Sequence, residues 1–292
     1  MTAKPIVAAT DGSEHSMQTV EWAARESALR GAPLRIVSAA ATPPRIAAAG
    51  SSRTGPDTVS GVLRRNRDEA LEIAAARADA AAPGLVIDTD VLGGPPALAV
   101  ADSGSGALML VVGSRGAGAF TALVFGSVSR YVSSHASCPV VVVRDVPPSP
   151  QQRVGVGIGD LDSCADALTF AFEEAALRKA SLTVIHAWEA PPVDISRAGE
   201  SFTGPSPHHV EEEATKQLGG FLDSWRSKYP DVKVTQDVVH GHPARALVGL
   251  SARADLVVIG RHAAHAGRPG PGAVRHAVLN HAHGPVVTVP ST

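Results

Sequence analysis

The sequence has few aromatic residues, almost no cysteine and no excess of charge of either sign. Three Trp, two Tyr and six Phe make up 4% of its 292 residues, too few for a stacking platform of the kind that binds single-stranded nucleic acid. Lys and Arg total 26 against 28 Asp and Glu, a net charge of −2, which leaves no basic footprint for nucleic acid or an anionic membrane. Two cysteines, Cys138 and Cys164, cannot build a disulfide framework or a four-thiolate zinc site. The longest apolar runs, Ala107–Val112 and Val140–Val143, are far short of the roughly 18 residues of a membrane span. No charged-then-apolar leader precedes the strand-like Ile6-Val7-Ala8-Ala9. A soluble, cytoplasmic protein is expected, with neither nucleic acid nor membrane as partner.

What is present is enough apolar material for real cores, 44% hydrophobic against 18% charged residues, in a length that suits two domains. The chain also repeats itself. Glu26-Ser-Ala-Leu-Arg30 and Leu34-Arg-Ile-Val return as Glu174-Ala-Ala-Leu-Arg178 and Leu182-Thr-Val-Ile. Asp90-Val91, Gly94, Pro96-Ala97 and Gly113 return as Asp237-Val238, Gly241, Pro243-Ala244 and Gly260. Gly126-Ser-Val128 and Pro139-Val-Val return as Gly272-Ala-Val274 and Pro285-Val-Val. A repeat of this length is a duplicated domain and not a solenoid unit. The Pro-rich stretch 144–153 reads as the linker, dividing the chain into domains at 1–146 and 151–292.

In the first half, apolar runs of strand length fall at about 5–10, 33–39, 85–92, 107–113 and 139–144. Between them lie helical patterns at about 14–30, 62–81, 95–104 and 126–136, the first carried by Val20, Ala23, Ala24, Ser27 and Ala28. Continuous runs such as Leu108-Met-Leu-Val-Val112 suit strands buried on both faces. The alternation predicts a doubly wound α/β fold, five parallel strands per half, with a Rossmann-like crevice at the strand carboxyl ends. Pro/Gly/Ser-rich insertions follow the second strand of each half, Thr42–Gly61 and Ala190–His208. Each is read as a lid near the crevice, or as a disordered or dimer-contacting loop. The last strands, Val140–Val143 and Pro285–Val289, offer edges for pairing.

The chemistry-bearing pattern lies in the first half. Gly113-Ser-Arg-Gly116 closes the fourth strand, and after nine residues Gly126-Ser127 opens a helix. Gly113 lets the backbone turn and approach a ligand, and Gly116 permits a left-handed conformation. Gly126-Ser127-Val128 brings free amides to a helix N-terminus, with Ser127 and Ser129 as further hydroxyl donors, an arrangement that holds phosphate oxygens. A plain surface turn is the competing reading. Thr10-Asp11-Gly12-Ser13 ends the first strand. Asp11 there either reaches a ribose or adenine edge or caps the helix that follows.

Taken together, strand-Asp-Gly-Ser, Gly-x2-Gly-x9-Gly-Ser, Val-Ser-x-x-Val and Pro-Val-Val-Val resemble the universal stress protein family, and the duplication resembles its tandem members. The resemblance implies strand order 3-2-1-4-5 and one ATP, with or without magnesium, per competent domain. It also implies intrachain domain pairing, a homo-oligomer (dimer) and an unidentified regulatory protein partner. By position, Asp11 and Ala39 would face the adenosine, and Gly113, Gly116 and Gly126 would approach ribose and phosphates. Ser127, Val128 and Ser129 would bind phosphates, with Arg115 as a further contact. Position 39 is β-branched in the family pattern and alanine here.

The second half departs from that pattern. The Asp11 position falls on Gly159, with Asp160 one place along, the loop reads Gly260-Arg-His-Ala263, the spacing to Gly272 is one shorter, and Ser127 becomes Ala273. Hydrogen bonds lost to a charged ligand cost about 1.5–3 kcal/mol each, and alanine at a glycine-only conformation roughly 1 kcal/mol more. A loss on the order of 3–6 kcal/mol turns a micromolar site millimolar or weaker, so little or no ATP is expected there. Val154-Gly-Val-Gly-Ile-Gly159 looks like a dinucleotide fingerprint but is the strand itself. Ten of the twelve histidines lie in the second half, as in His240/His242, His262/His265 and His281/His283. With no carboxylate or thiolate spaced among them they are not read as a metal site. Cys138 reads as a buried small hydrophobe and Cys164 as a solvent-touching thiol.

The function expected is a nucleotide-dependent regulatory, stress-response protein, with no catalytic residue assigned. The alternatives are a slow ATPase using Asp11 and Ser127 with magnesium, or an assembly module that binds AMP, cyclic AMP or no nucleotide.

Overall fold

The structure, a computed structural model, describes residues 3–39, 59–115, 125–147, 149–159, 161–188, 207–261 and 271–291. The chain divides into two compact units, Met1–Val146 and Pro147–Thr292.

In the first unit the strands are β1 (Ile6–Thr10), β2 (Leu34–Ala39), β3 (Ile87–Leu92), β4 (Met109–Gly113) and β5 (Val140–Val143). The helices between them are α1 (Glu14–Arg30), α2 (Val59–Ala81), α3 (Pro96–Ser103) and α4 (Ser127–His135). All pairings are parallel, β3 with β2, β2 with β1, β1 with β4 and β4 with β5. That is the order 3-2-1-4-5. The sequence order reverses between β1 and β4, which run in register from Ile6 opposite Met109 to Ala8 opposite Val111. A crevice opens at the carboxyl ends on either side of such a reversal. β1, β2 and β4 carry Ile6, Leu34, Ile36, Leu110 and Val111 with no exposed surface, the burial on both faces that a helix-covered parallel sheet requires.

α1 starts and stops where its sequence says it should. Ser13 is the N-cap and accepts from the Ser16 amide, and Gly31 closes the helix in the left-handed conformation. Its buried face includes Met17, Val20, Ala23, Ala24 and Ser27. Ala28, expected on that face, is exposed; Glu26 is buried instead and pairs with Arg30 at 2.7 Å. The insertion expected over Thr42–Gly61 is shorter than it looked, because α2 already begins at Val59. Residues 40–58 lie outside the described ones.

The second unit repeats the plan with β6 (Arg153–Ile158), α5 (Ala165–Arg178), β7 (Ser181–Trp188), α6 (Pro207–Lys228), β8 (Val234–His240), α7 (Pro243–Ser251), β9 (Leu256–Arg261), α8 (Pro271–His281) and β10 (Val286–Pro290). The strands pair in parallel as β8-β7-β6-β9-β10. Glu174 is buried and paired with Arg178 at 3.1 Å, as Glu26 is with Arg30. Pro207 and His208, assigned to the second insertion, open α6, and 189–206 lie outside the described residues. Cys138 is buried. Cys164 is buried too, 1% exposed, its thiol directed to the Leu161 carbonyl at 3.2 Å. The expectation of a solvent-touching Cys164 is therefore corrected: a short 3₁₀ turn at Leu161–Ser163 precedes α5 and folds the cysteine inward.

Candidate functional site

β1 ends in Thr10 and β4 in Gly113, on either side of the reversal. Between their carboxyl ends and the start of α4 lies a cavity of about 470 Å³, within the roughly 300–1,000 Å³ usual for small-molecule sites. Ala9, Val100, Val112 and Phe125 give it an apolar floor, and Ala39 at the end of β2 closes one side. Asp11, Gly113, Arg115, Gly126, Ser127, Val128 and Ser129 line it as well, together with Thr10, Ser16, Pro96 and a second arginine, Arg130. Eight of the nine residues singled out from the sequence thus meet around one space; the ninth, Gly116, lies outside the described residues.

The turn after β1 is a hydrogen-bonded unit. Asp11 Oδ1 accepts from the Ser13 amide at 3.1 Å and the Ser13 hydroxyl at 2.6 Å. Ser13, not Asp11, caps α1, and Asp11 braces the cap while its side chain remains at the cavity. Gly12 sits at φ +83°, a left-handed conformation that side chains resist. Its amide donates to Thr10 Oγ1 at 3.1 Å, and that hydroxyl lies 2.9 Å from Ser16 Oγ.

The phosphate-type wall is the first turn of α4. Gly126 is its N-cap with extended backbone, φ −60° and ψ 143°, and no side-chain cap. The Gly126 amide donates to the Ser114 carbonyl at 2.9 Å. The amides of Ser127, Val128 and Ser129 follow, first-turn donors with no intrahelical acceptor. The Ser129 hydroxyl, expected as a further donor to a ligand, instead donates to the Gly113 carbonyl and ties the end of β4 to α4. Gly113 also has another purpose than the sharp turn expected of it. A Cβ there would lie 3.1 Å from Thr19 Oγ1 and 3.2 Å from His15 Cδ2, so its bare backbone is what lets α1 pack against the strand end.

Sequence reasoning missed His15 and Ser114. His15 Nε2 lies 3.2 Å from the buried Ser114 hydroxyl. Burial first, and then the Arg115 charge, hold this imidazole below its ordinary value, against the opposite pull of Asp145, the Val143 carbonyl and Asp11. His15 belongs to a helix start and Ser114 to a strand end 99 residues on, so no local pattern could have joined them.

In the second unit the corresponding positions are built differently. Thr10 and Ser16 correspond to Ile158 and Cys164, Asp11 to Gly159, and His15 to Ser163. β9 continues one residue past Gly260, to Arg261. Gly272, the counterpart of Gly126, lies inside α8, whose first residue is Pro271. Proline has no N–H, so the first turn of α8 offers two amides where α4 offers three. His242, half of one histidine pair, caps α7 by accepting from the Ala244 amide at 3.3 Å. Among the described residues no three His, Cys, Asp or Glu side chains converge as metal ligands, and no helix is long and apolar enough to cross a membrane. His262, His265 and Ala263 lie outside the described residues.

Comparison with known proteins gives a consistent result. The sequence profile of the universal stress protein family matches residues 2–144 and again 151–290. Universal stress protein Rv2623 of Mycobacterium tuberculosis is 35% identical over 269 residues, covering 87% of this chain and 85% of that protein. Universal stress protein Rv1996 of the same organism is 33% identical over 301 residues, covering 97% and 93%. Among solved structures, a universal stress protein from Archaeoglobus fulgidus superposes with a TM-score of 0.67 over 99% of this chain and 97% of that one. At 17% identity that match speaks for the fold.

Proposed function

The chain belongs to the universal stress protein family, and we propose that within it this protein is a nucleotide-dependent regulator that holds ATP in the cavity of its first unit. The observation that carries the reading is the pairing, in one space, of an apolar floor with the three first-turn amides of α4. A flat base suits the first, and phosphate oxygens suit the second. Asp11 stands at the end of β1 where a ribose or adenine edge would pass. Ala39 would face the base, Gly113 and Gly126 the sugar and phosphates, and the Ser127 hydroxyl with the amides of Val128 and Ser129 the phosphates. Asp11 is the one carboxylate among the described lining residues. A magnesium ion arriving with the nucleotide would take the rest of its oxygen shell from phosphates and water.

The second unit offers a poorer seat, since it lacks the Asp11 carboxylate, the Ser127 hydroxyl and one first-turn amide. One nucleotide per chain is therefore expected. The test is to denature freshly purified protein, quantify the nucleotide released per chain, and repeat with a Gly116→Ala/Ser127→Ala variant. About one ATP per chain, lost in the variant, supports the reading. Two per chain would overturn the assignment to the first unit. None, with no calorimetric signal on adding ATP and magnesium, would overturn nucleotide binding altogether.

A further inference from the structure

Three guanidinium nitrogens at the ends of β4 and β5 are buried with no hydrogen-bond partner among the described residues: Nε of Arg115, and Nε and Nη2 of Arg144. Strand register brings the two residues together. Gly113 pairs with Val143, and the Ser114 amide donates to the Val143 carbonyl at 2.8 Å, so β4 and β5 leave the sheet side by side with an arginine just past each end. The like charges oppose one another. Burial, and after it the Arg115 charge, hold the Arg144 guanidinium below its usual value. Asp145 supplies a carboxylate 4.0 Å from Arg115 Nη2 and is itself mostly exposed. Among the described residues at these strand ends, one such carboxylate against two guanidinium groups leaves a positive excess, and arginine cannot shed a proton to relieve it. Of the pair, Arg115 lines the cavity beside the first turn of α4. In the second unit the strand-end residue corresponding to Arg144 is Pro290.

We propose that these two arginines form a seat for the terminal phosphate of a nucleoside triphosphate, so that the cavity selects triphosphates over monophosphates. The inference rests on the nucleotide reading above and deepens it. Arg115 contacts the phosphate. Arg144 is a positioning residue: its like charge opposes withdrawal of Arg115 into the strand ends and adds its own field at the phosphate. Asp145 competes with the phosphate for Arg115.

The test is calorimetric titration of the full chain with ATP, ADP and AMP. The unaltered protein is expected to bind ATP about tenfold or more tighter than AMP, as a charge-assisted contact to the terminal phosphate requires. Arg144→Gln is expected to weaken ATP by about tenfold while AMP stays within about twofold, and Arg144→Lys, which keeps the charge, to recover most of the loss. Asp145→Asn, by removing the competitor, is expected to strengthen ATP by about threefold, a gain that damage to the fold would not produce. Equal losses for ATP and AMP, a lysine variant no better than glutamine, or unchanged ATP affinity in Arg144→Gln would each overturn the seat. Inorganic triphosphate is titrated alongside. If it binds and is weakened by Arg144→Gln while none of the three nucleotides binds, the seat stands and the nucleotide reading falls. If all of them are silent, both fall.

Discussion

Leu247 of α7 lies over Gly157 of β6 so closely that a Cβ on the glycine would fall 2.7 Å from Leu247 Cδ1. One turn along, Leu250 covers Gly155 more tightly still. The glycines of the run 154–159 therefore serve helix-on-sheet packing. At the corresponding sequence positions the first unit carries Val7 and Ala9 on β1 and Ser103 and Val100 on α3, so the strand glycines are particular to the second unit.

Gly157→Ala is expected to destabilise the protein by about 1–3 kcal/mol, the usual cost of forcing a methyl into a packed core. Combining it with Leu247→Ala should cost less than the sum of the two single changes, because the shortened leucine vacates the space the new methyl needs. Urea denaturation midpoints of the three variants check this. Strict additivity would mean the two residues do not share that volume.

Gly113 and Gly126 should respond differently to the same substitution. At Gly113 a methyl meets Thr19, His15 and the Arg115 carbonyl at 3.1–3.3 Å, and alanine there is expected to cost about 1–3 kcal/mol. At Gly126 the nearest atoms are 3.5 Å away, and only the poorer capping of alanine remains, roughly 0.5–1 kcal/mol. Thermal unfolding of the two variants ranks them.

Lys179 caps α5 in the left-handed conformation, φ 52° and ψ 40°, where α1 uses Gly31 at φ 62° and ψ 30°. A side chain in that region costs roughly 1–2 kcal/mol, and glycine returns part of the gain through the entropy of its unfolded chain. Lys179→Gly is expected to raise stability by about 0.5–1 kcal/mol. An unchanged or lower denaturation midpoint would contradict it.

His15 makes stability depend on pH. Its folded value is held down, first by burial and then by Arg115, so between that value and the unfolded one near 6.5 the unfolded chain binds more protons. Stability from this residue is then fully present above about pH 6.5 and lost as pH falls through the window below it. His15→Gln should flatten the slope between about pH 7 and about pH 5 in chemical denaturation measured at each pH. An equal slope in the variant would assign the pH dependence to other groups.

The fold was legible in the sequence to within a few residues at each end of its elements. Apolar periodicity is a local property, and runs such as Val140–Val143 or the stripe through Val20 and Ala24 state it directly. The stripe includes Ala28, which is exposed, and leaves out Glu26, which is buried, because periodicity alone leaves the edge of a helix's buried face undefined until a partner packs on it. The candidate site was legible in its glycines and hydroxyls. Their reasons were not: Gly113 is bare because α1 crosses it, and Ser129 spends its hydroxyl on the strand end.

By itself the sequence determined the duplication, the strand and helix order and the Gly-x2-Gly-x9-Gly-Ser motif, because repetition, periodicity and spacing are written along the chain. Only the tertiary structure decided that His15 meets Ser114, that Leu247 seats on Gly157, and that Arg115 and Arg144 follow the ends of neighbouring strands with nitrogens that have no partner among the described residues. Each of those contacts joins residues far apart in sequence, brought within reach by strand register and helix packing.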